Sequence, residues 1–301
     1  MIRCKSLLLI AAVIVLITHQ ASAQSLDSLA VGGSSLDVDI YGNLFVLDAN
    51  RNLLTLFLKD GTQVRQVGGQ GWGDNQFDRP TGLWARNGLD VFVADYGNHR
   101  IQRFDRTLSF ISSLFTRDDD DPDRRFGYPT DVALSRLGAL FICDTENSRI
   151  LKVSMSNEVE RNFGGYDAGR GRLYAPEQVE VGPKDFVYVL DQRRIMVFDV
   201  FGNFIHELAS NLFQHPSGMF ADGEGVLVLD GDTLYTFDAE DRPGKAVDIR
   251  AFGGRVRGKD VRSLVMSNKI LYFLTGDGVY MITNSGLRDP QSPVDKERNS
   301  H

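Results

Sequence analysis

Short apolar runs, each closed by an acidic turn residue, recur along most of this chain. Five of them are Leu44-Phe45-Val46-Leu47-Asp48, Val91-Phe92-Val93-Ala94-Asp95, Leu140-Phe141-Ile142-Cys143-Asp144, Val187-Tyr188-Val189-Leu190-Asp191 and Val226-Leu227-Val228-Leu229-Asp230. A sixth, Leu271-Tyr272-Phe273-Leu274, ends in Thr275 instead. The runs are rich in β-branched and aromatic residues and too short for ordinary helices, so they predict strands. Their closing residues stand 47, 49, 47, 39 and 45 positions apart. Six units at that period match four-stranded sheets set around an axis, an all-β, six-bladed β-propeller.

The rest of each unit parses around its apolar run. An opening strand follows Pro80, Pro129, Pro176 or Pro216, where proline starts a strand without breaking a ladder bond. Third strands include Ile101-Gln102-Arg103-Phe104 and Ile195-Met196-Val197-Phe198, and fourth strands end in Gly68-Gly69, Gly164-Gly165 and Gly253-Gly254. The last unit has three strands, ending near Ile282, while residues 26–31 with Gly32-Gly33 form a fourth-strand pattern that lacks a sheet. We expect that segment to pair into the last blade, closing the ring and removing exposed sheet edges.

The beginning of the chain differs from the body. Arg3 and Lys5 precede an apolar run at residues 7–17, and Ala21-Ser22-Ala23 supplies the small residues that a signal peptidase reads. This predicts a signal peptide at residues 1–23, a propeller at 24–286 and a polar, loose tail at 287–301, with export to a bacterial periplasm or exterior. No second apolar run is long enough to span a membrane. Cleavage would take the basic count from 33 to 31 against 40 acidic residues, a net charge of −9, and leave Cys143 as the remaining cysteine. Such a body must hold together by burial without an internal disulfide. Its acidity argues against a nucleic-acid partner, whose affinity rests on neutralised phosphates.

Two stretches carry a family resemblance. Phe77-x-x-Pro80-x-Gly82, followed by Val91-x-Val93-Ala94-Asp95-x-x-Asn98-x-Arg100-Ile101-x-x-Phe104, resembles a near-consensus NHL repeat. Phe126-x-x-Pro129 with Asp144-x-x-Asn147-x-Arg149-Ile150 is similar, whereas blades four to six degrade. Six-bladed relatives include amidating lyases and lactonases that keep metal or histidine residues over the central channel. RNA binding, known in some NHL domains, would imply a basic face and an intracellular address, and this chain offers neither.

Strands alternate direction within a blade, so the acidic turns share one end of the ring with the connectors between blades. Three connectors are long, and long loops are where binding concentrates. From this end we select Trp72, Arg79, His99, Tyr128, Arg170, Tyr174, Arg193 and His215 as binding candidates for a protein or peptide partner. Phe77, Phe126 and Leu173 fall at equivalent repeat positions and are expected to plug the blades. Asp95, Asp144, Arg100 and Arg149 recur with the repeat, which a structural role predicts. The acidic run Asp118 to Asp121 with Asp123 lacks the punctuation of a calcium loop and is expected to be a solvated loop. His99, His206 and His215 fall too far apart around the ring to share a metal, and no catalytic residue or cofactor is expected. The alternative is a metal-dependent, lactonase-like hydrolase or lyase at the channel, with Glu177 and Asp131 near the axis.

Overall fold

The computed structural model describes residues 23–26, 32–251, 256 and 258–283. The first strand is β1 (Ala23–Leu26), and the first complete sheet is β2 (Ser35–Val38), β3 (Leu44–Asp48), β4 (Leu53–Phe57) and β5 (Gln63–Gly68). The second holds β6 (Gly82–Trp84), β7 (Asp90–Asp95), β8 (Arg100–Asp105) and β9 (Phe110–Leu114); the third β10 (Pro129–Leu134), β11 (Leu140–Asp144), β12 (Arg149–Val153) and β13 (Val159–Phe163). The fourth holds β14 (Pro176–Val181), β15 (Val187–Asp191), β16 (Arg194–Phe198) and β17 (Phe204–Glu207); the fifth β18 (Pro216–Ala221), β19 (Gly225–Asp230), β20 (Thr233–Asp238) and β21 (Val247–Asp248). The sixth joins β22 (Val261–Ser267), β23 (Ile270–Thr275) and β24 (Gly278–Thr283) to β1, which pairs antiparallel with β24 from Ala23↔Ile282 to Leu26↔Val279. Of the segment expected in that place, residues 27–31 lie outside the described residues, as do the stretches expected to be a signal peptide, to residue 22, and a tail, from 284.

Burial between sheets supplies the cohesion. Phe45, Leu47 and Leu54 of the first sheet share one cluster with Phe77, Leu83, Val93 and Phe104. Phe77, Phe126 and Leu173 are at most 1% exposed, so these connector residues fill the gaps between sheets as their repeat position implied. Cys143 is buried in the core, and burial pushes its thiol well above the ordinary value.

At the axis the inner strands follow one another from β2 through β6, β10, β14, β18 and β22, and β22 returns to β2. Side chains stitch each to the next. Gln178 accepts from Met219 N (2.8 Å) and donates to Met219 O (2.7 Å). Ser263 Oγ does the same with Leu36 N (3.3 Å) and O (3.2 Å). Thr81 and Thr130 donate to the carbonyls of Pro129 and Pro176, both at 3.1 Å. Gly82 is required by closeness here: a Cβ would stand 2.5 Å from Asp131 Cα. The starts of β10, β14, β18 and β22 carry register shifts, irregularities that re-aim side chains where a strand begins.

Candidate functional site

The connector end is built by the acidic turns. Asp95 accepts from the connector N–H of Asp78 (2.8 Å), from Asn98 Nδ2 (2.9 Å) and from Arg100 Nε (2.8 Å). Arg100 then donates to the carbonyls of Trp72 (2.8 Å), Gly73 (3.0 Å) and Gln76 (2.8 Å). One blade on, Asp144 accepts from Gly127 N (3.1 Å) and Arg149 Nε (2.9 Å), and Arg149 donates to the carbonyls of Pro122 (3.1 Å) and Arg125 (2.7 Å). Each Asp–Arg pair therefore anchors the connector that leads into its own sheet, rather than a strand of the neighbour. Asp191 receives Tyr174 N (2.9 Å) and Ala175 N (2.7 Å), and Asp230 receives Gln214 N and His215 N, both at 2.7 Å. The acidic run is a loop held by its own turns: Asp121 N donates to Asp119 (2.9 Å), and Arg125 Nε to the Asp119 carbonyl (2.6 Å).

On this scaffold the structure gathers some of the selected residues. Arg79 and Tyr128, both just ahead of a proline, have left-handed backbones with φ of 49° and 48°. That conformation is strained for bulky residues and must be held by its surroundings. Arg79 N donates to Asn52 Oδ1 (2.6 Å) and Tyr128 N to His99 Nδ1 (3.1 Å). The Tyr128 ring lies 4.2 Å from that of His99 and 5.1 Å from that of Tyr96, whose ring centre is 5.4 Å from the Arg79 guanidinium. Arg117 joins them, 3.1 Å from His99 Nδ1 and 2.7 Å from Glu146. Two donors facing Nδ1 make it an acceptor, so the His99 ring is neutral with its proton on Nε2. Burial, then the charge of Arg117, holds its pKa below the ordinary value.

Tyr174 belongs to a second group. Its ring lies 4.9 Å from the Arg194 guanidinium and 5.2 Å from that of Arg172, which also faces Tyr166 at 4.3 Å. Tyr166 and Tyr174 are 77% and 51% exposed, so these stacks present aromatic surface to solvent. Trp72 is exposed too, edge-on to Phe115 at 5.7 Å. Arg170, 5.8 Å from the Phe204 ring, and the exposed Arg193 and His215 join neither group.

Between the connectors and the axis lies a funnel of about 180 Å³, with Ser35, Asp131, Glu177, Ser217 and Arg262 in its wall. Asp131 Oδ2 accepts from Val179 N at 3.0 Å. Burial, then Glu180, push Asp131 well above the carboxylate range, and burial, then Asp191, raise Glu177. Among the described residues no three of His, Cys, Asp and Glu could hold a metal ion. His206 is remote on β17, 3.1 Å from Asp241.

Toward the other end, Arg86 crosses the axis. It meets Glu180 twice (2.6 and 2.7 Å), Asp37 (3.1 Å) and the Ala221 carbonyl (3.0 Å), with its guanidinium 4.5 Å from the Phe220 ring. Sequence reasoning missed this clamp. Its signal was a charge within each apolar inner strand, Leu36-Asp37-Val38 and Val179-Glu180-Val181. Ile40, Leu89 and Leu137, in the turns at that end, are exposed.

An NHL repeat model matches residues 77–104 and 126–153, the same two stretches in which the Asp–Asn–Arg turn is complete. The chain is a six-bladed β-propeller that carries NHL repeats. Against protein brain tumor of Drosophila melanogaster the chain is 26% identical over 109 residues, 35% of this chain and 10% of that protein. Against a probable peptidyl-alpha-hydroxyglycine alpha-amidating lyase of Caenorhabditis elegans it is 37% identical over 84 residues, 27% of this chain and 24% of that protein. The chain thus spans about a quarter or less of the length of either relative. A gluconolactonase from Xanthomonas campestris shares the fold with a TM-score of 0.63 at 12% identity, covering 90% of this chain and 92% of its own. Virginiamycin B lyase from Staphylococcus aureus gives 0.59 at 11%, covering 87% and 97%. At these identities the likeness concerns the fold alone.

Proposed function

We propose that this propeller is a recognition platform that docks a protein or peptide partner on its connector face. The observation that carries this reading is the pair of tyrosines stacked with arginines there, the half-buried Tyr128 with His99 and Arg117, and the exposed Tyr174 with Arg172 and Arg194. Rings pre-positioned by stacking lose little freedom on docking, and Tyr and Arg are common anchors of interfaces. Capture of partners from extract of the producing cells, quantified by mass spectrometry, tests it. Tyr174→Ala and Tyr128→Ala should each weaken capture of a common partner roughly thirtyfold, about 2 kcal/mol. Leu137→Ala, at the opposite end, should leave it unchanged. Loss with Leu137→Ala alone would move the interface to the other face.

The platform works, on this reading, after export. Cleavage before Gln24 would keep three of the four β1 register pairs, Gln24↔Met281, Ser25↔Tyr280 and Leu26↔Val279. N-terminal sequencing of protein from the producing cells should begin at Gln24; a retained Met1 start would refute export by this route.

A second reading, hydrolase or lyase chemistry in the funnel, is favoured by the presence of both Asp131 and Glu177 in its wall. Two carboxyls without histidine do not make a metal centre of the usual three protein ligands, so the docking reading is preferred.

A further inference from the structure

The funnel is chemically polarised across the ring. Its two carboxyls come from adjacent sheets, Asp131 from the third and Glu177 from the fourth, while the guanidinium of Arg262 enters from the sixth. Arg262 is steadied by a hydrogen bond from Nη1 to Gly33 O at 2.7 Å, its one hydrogen bond among the described residues, and a guanidinium has further N–H donors to offer.

Most hydroxyl and amide groups in the wall are already spent on the axial stitching. Gln178, Ser263, Thr81 and Thr130 all bond to the next inner strand. Asp131 is different. Its carboxyl takes only backbone N–H groups among the described residues, Val179 N at 3.0 Å and that of Val132, and a carboxylate has room for further donors. The Glu177, Ser35 and Ser217 side chains also line it without a hydrogen bond to another side chain or backbone group among the described residues.

The electrostatics suit a cationic group placed against this wall. Asp131 and Glu177 are both raised by burial and by neighbouring acids, the shift of carboxyls short of a positive partner. Size narrows the ligand. A cavity of 180 Å³ holds roughly six waters at about 30 Å³ each, and it lies below the roughly 300 Å³ of drug-sized sites. A molecule of a few heavy atoms fits.

We propose that the funnel binds a small zwitterion, a free amino acid with a short side chain or a compound of that charge pattern. Its ammonium lies against Asp131 and Glu177, its carboxylate against Arg262, and Ser35 and Ser217 complete its hydrogen bonds. An ammonium supplies three donors to the acidic wall, and a carboxylate pairs with a guanidinium in two parallel bonds. This site is separate from partner docking at the tyrosine stacks, and neither depends on the other.

Calorimetric titration of the purified chain with L-alanine and 4-aminobutyrate, against ethylamine and propionate as single-charge probes, tests the proposal. At least one zwitterion should bind, with each single-charge probe at least tenfold weaker. Glu177→Gln should remove the advantage of the zwitterion over propionate, and Arg262→Gln its advantage over ethylamine. Glu177 is only partly covered and its carboxyl makes no hydrogen bond to the fold among the described residues, so its variant should keep the parent melting temperature and remain informative if the Arg262 variant misfolds. No heat from either zwitterion, or single-charge probes binding equally well, overturns the assignment. Tyr174→Ala should leave the titration unchanged, so failure here and failure of partner docking are distinguishable.

Discussion

Arg86→Met is expected to lower stability by on the order of 3–5 kcal/mol, because it strands two buried carboxylates at the axis. Asp37 and Glu180 have side chains only 1% and 4% exposed, and Arg86 is the cation that meets both. For a domain of this size such a loss is worth on the order of 10 °C in melting temperature. The penalty should depend on pH, and its sign follows from burial. Glu180 is pushed up from 4.5 to about 7 by burial, with Asp37 and Asp222 adding to the rise and Arg86 opposing it. The native state therefore holds the Glu180 proton more tightly than the unfolded chain. That contribution is fully present below the unfolded value of 4.5 and is lost as pH rises through about 7. Removing Arg86 takes away the lowering pull and extends the loss upward, so the gap between parent and variant should widen from pH 5 to pH 8. Denaturant midpoints at the two pH values measure it. Adding Asp37→Asn and Glu180→Gln to Arg86→Met should recover much of the loss. An equal gap at both pH values, with no recovery, would show that the clamp acts through packing rather than charge.

That clamp marks the boundary of what the sequence made legible. The sheets were readable because their cause is local: five apolar runs ended in aspartate at a regular period, and prolines and paired glycines punctuated them. The plugging role of Phe77, Phe126 and Leu173 was readable for the same reason, since equivalent positions in a repeat have equivalent neighbours. Arg86 meets Glu180 across 94 positions and Ala221 across 135, and no period joins those numbers. The rim was partly legible. Its loops and rings could be assigned to one end, which brought Arg79, His99 and Tyr128 together. The stacking of Tyr174 with Arg172 and Arg194 depends on backbone angles that spacing does not carry, and Arg170, Arg193 and His215 share the end without sharing the groups. Asp131 and Glu177 were placed near the axis by their strand position, but the guanidinium that polarises their funnel comes from a degraded repeat.

Degraded repeats also allow the scaffold assignment to be tested inside one molecule. Asp95 is fully buried and accepts from Asp78 N, Asn98, Arg100 and Gln102. Asp95→Ala leaves Arg100, 4% exposed, among carbonyls but without its counter-charge, a loss on the order of 3–5 kcal/mol. The connector should loosen with it, since Arg100 anchors the carbonyls of Trp72, Gly73 and Gln76. Hydrogen exchange across residues 71–79 should rise ahead of exchange in β7 and β8. The equivalent position in the sixth sheet is Thr275, whose hydroxyl donates to Gly278 O (3.2 Å) and accepts from Asp277 N (3.2 Å). Thr275→Ala removes neutral bonds and no charge, so about 1 kcal/mol is expected. The difference follows from what each residue holds: Asp95 secures a long connector through a buried ion pair, and Thr275 secures a tight turn. Should Asp95→Ala abolish partner capture while leaving stability and connector exchange at parent values, Asp95 would belong to the binding surface and the repeated turn would be recognition chemistry rather than scaffold.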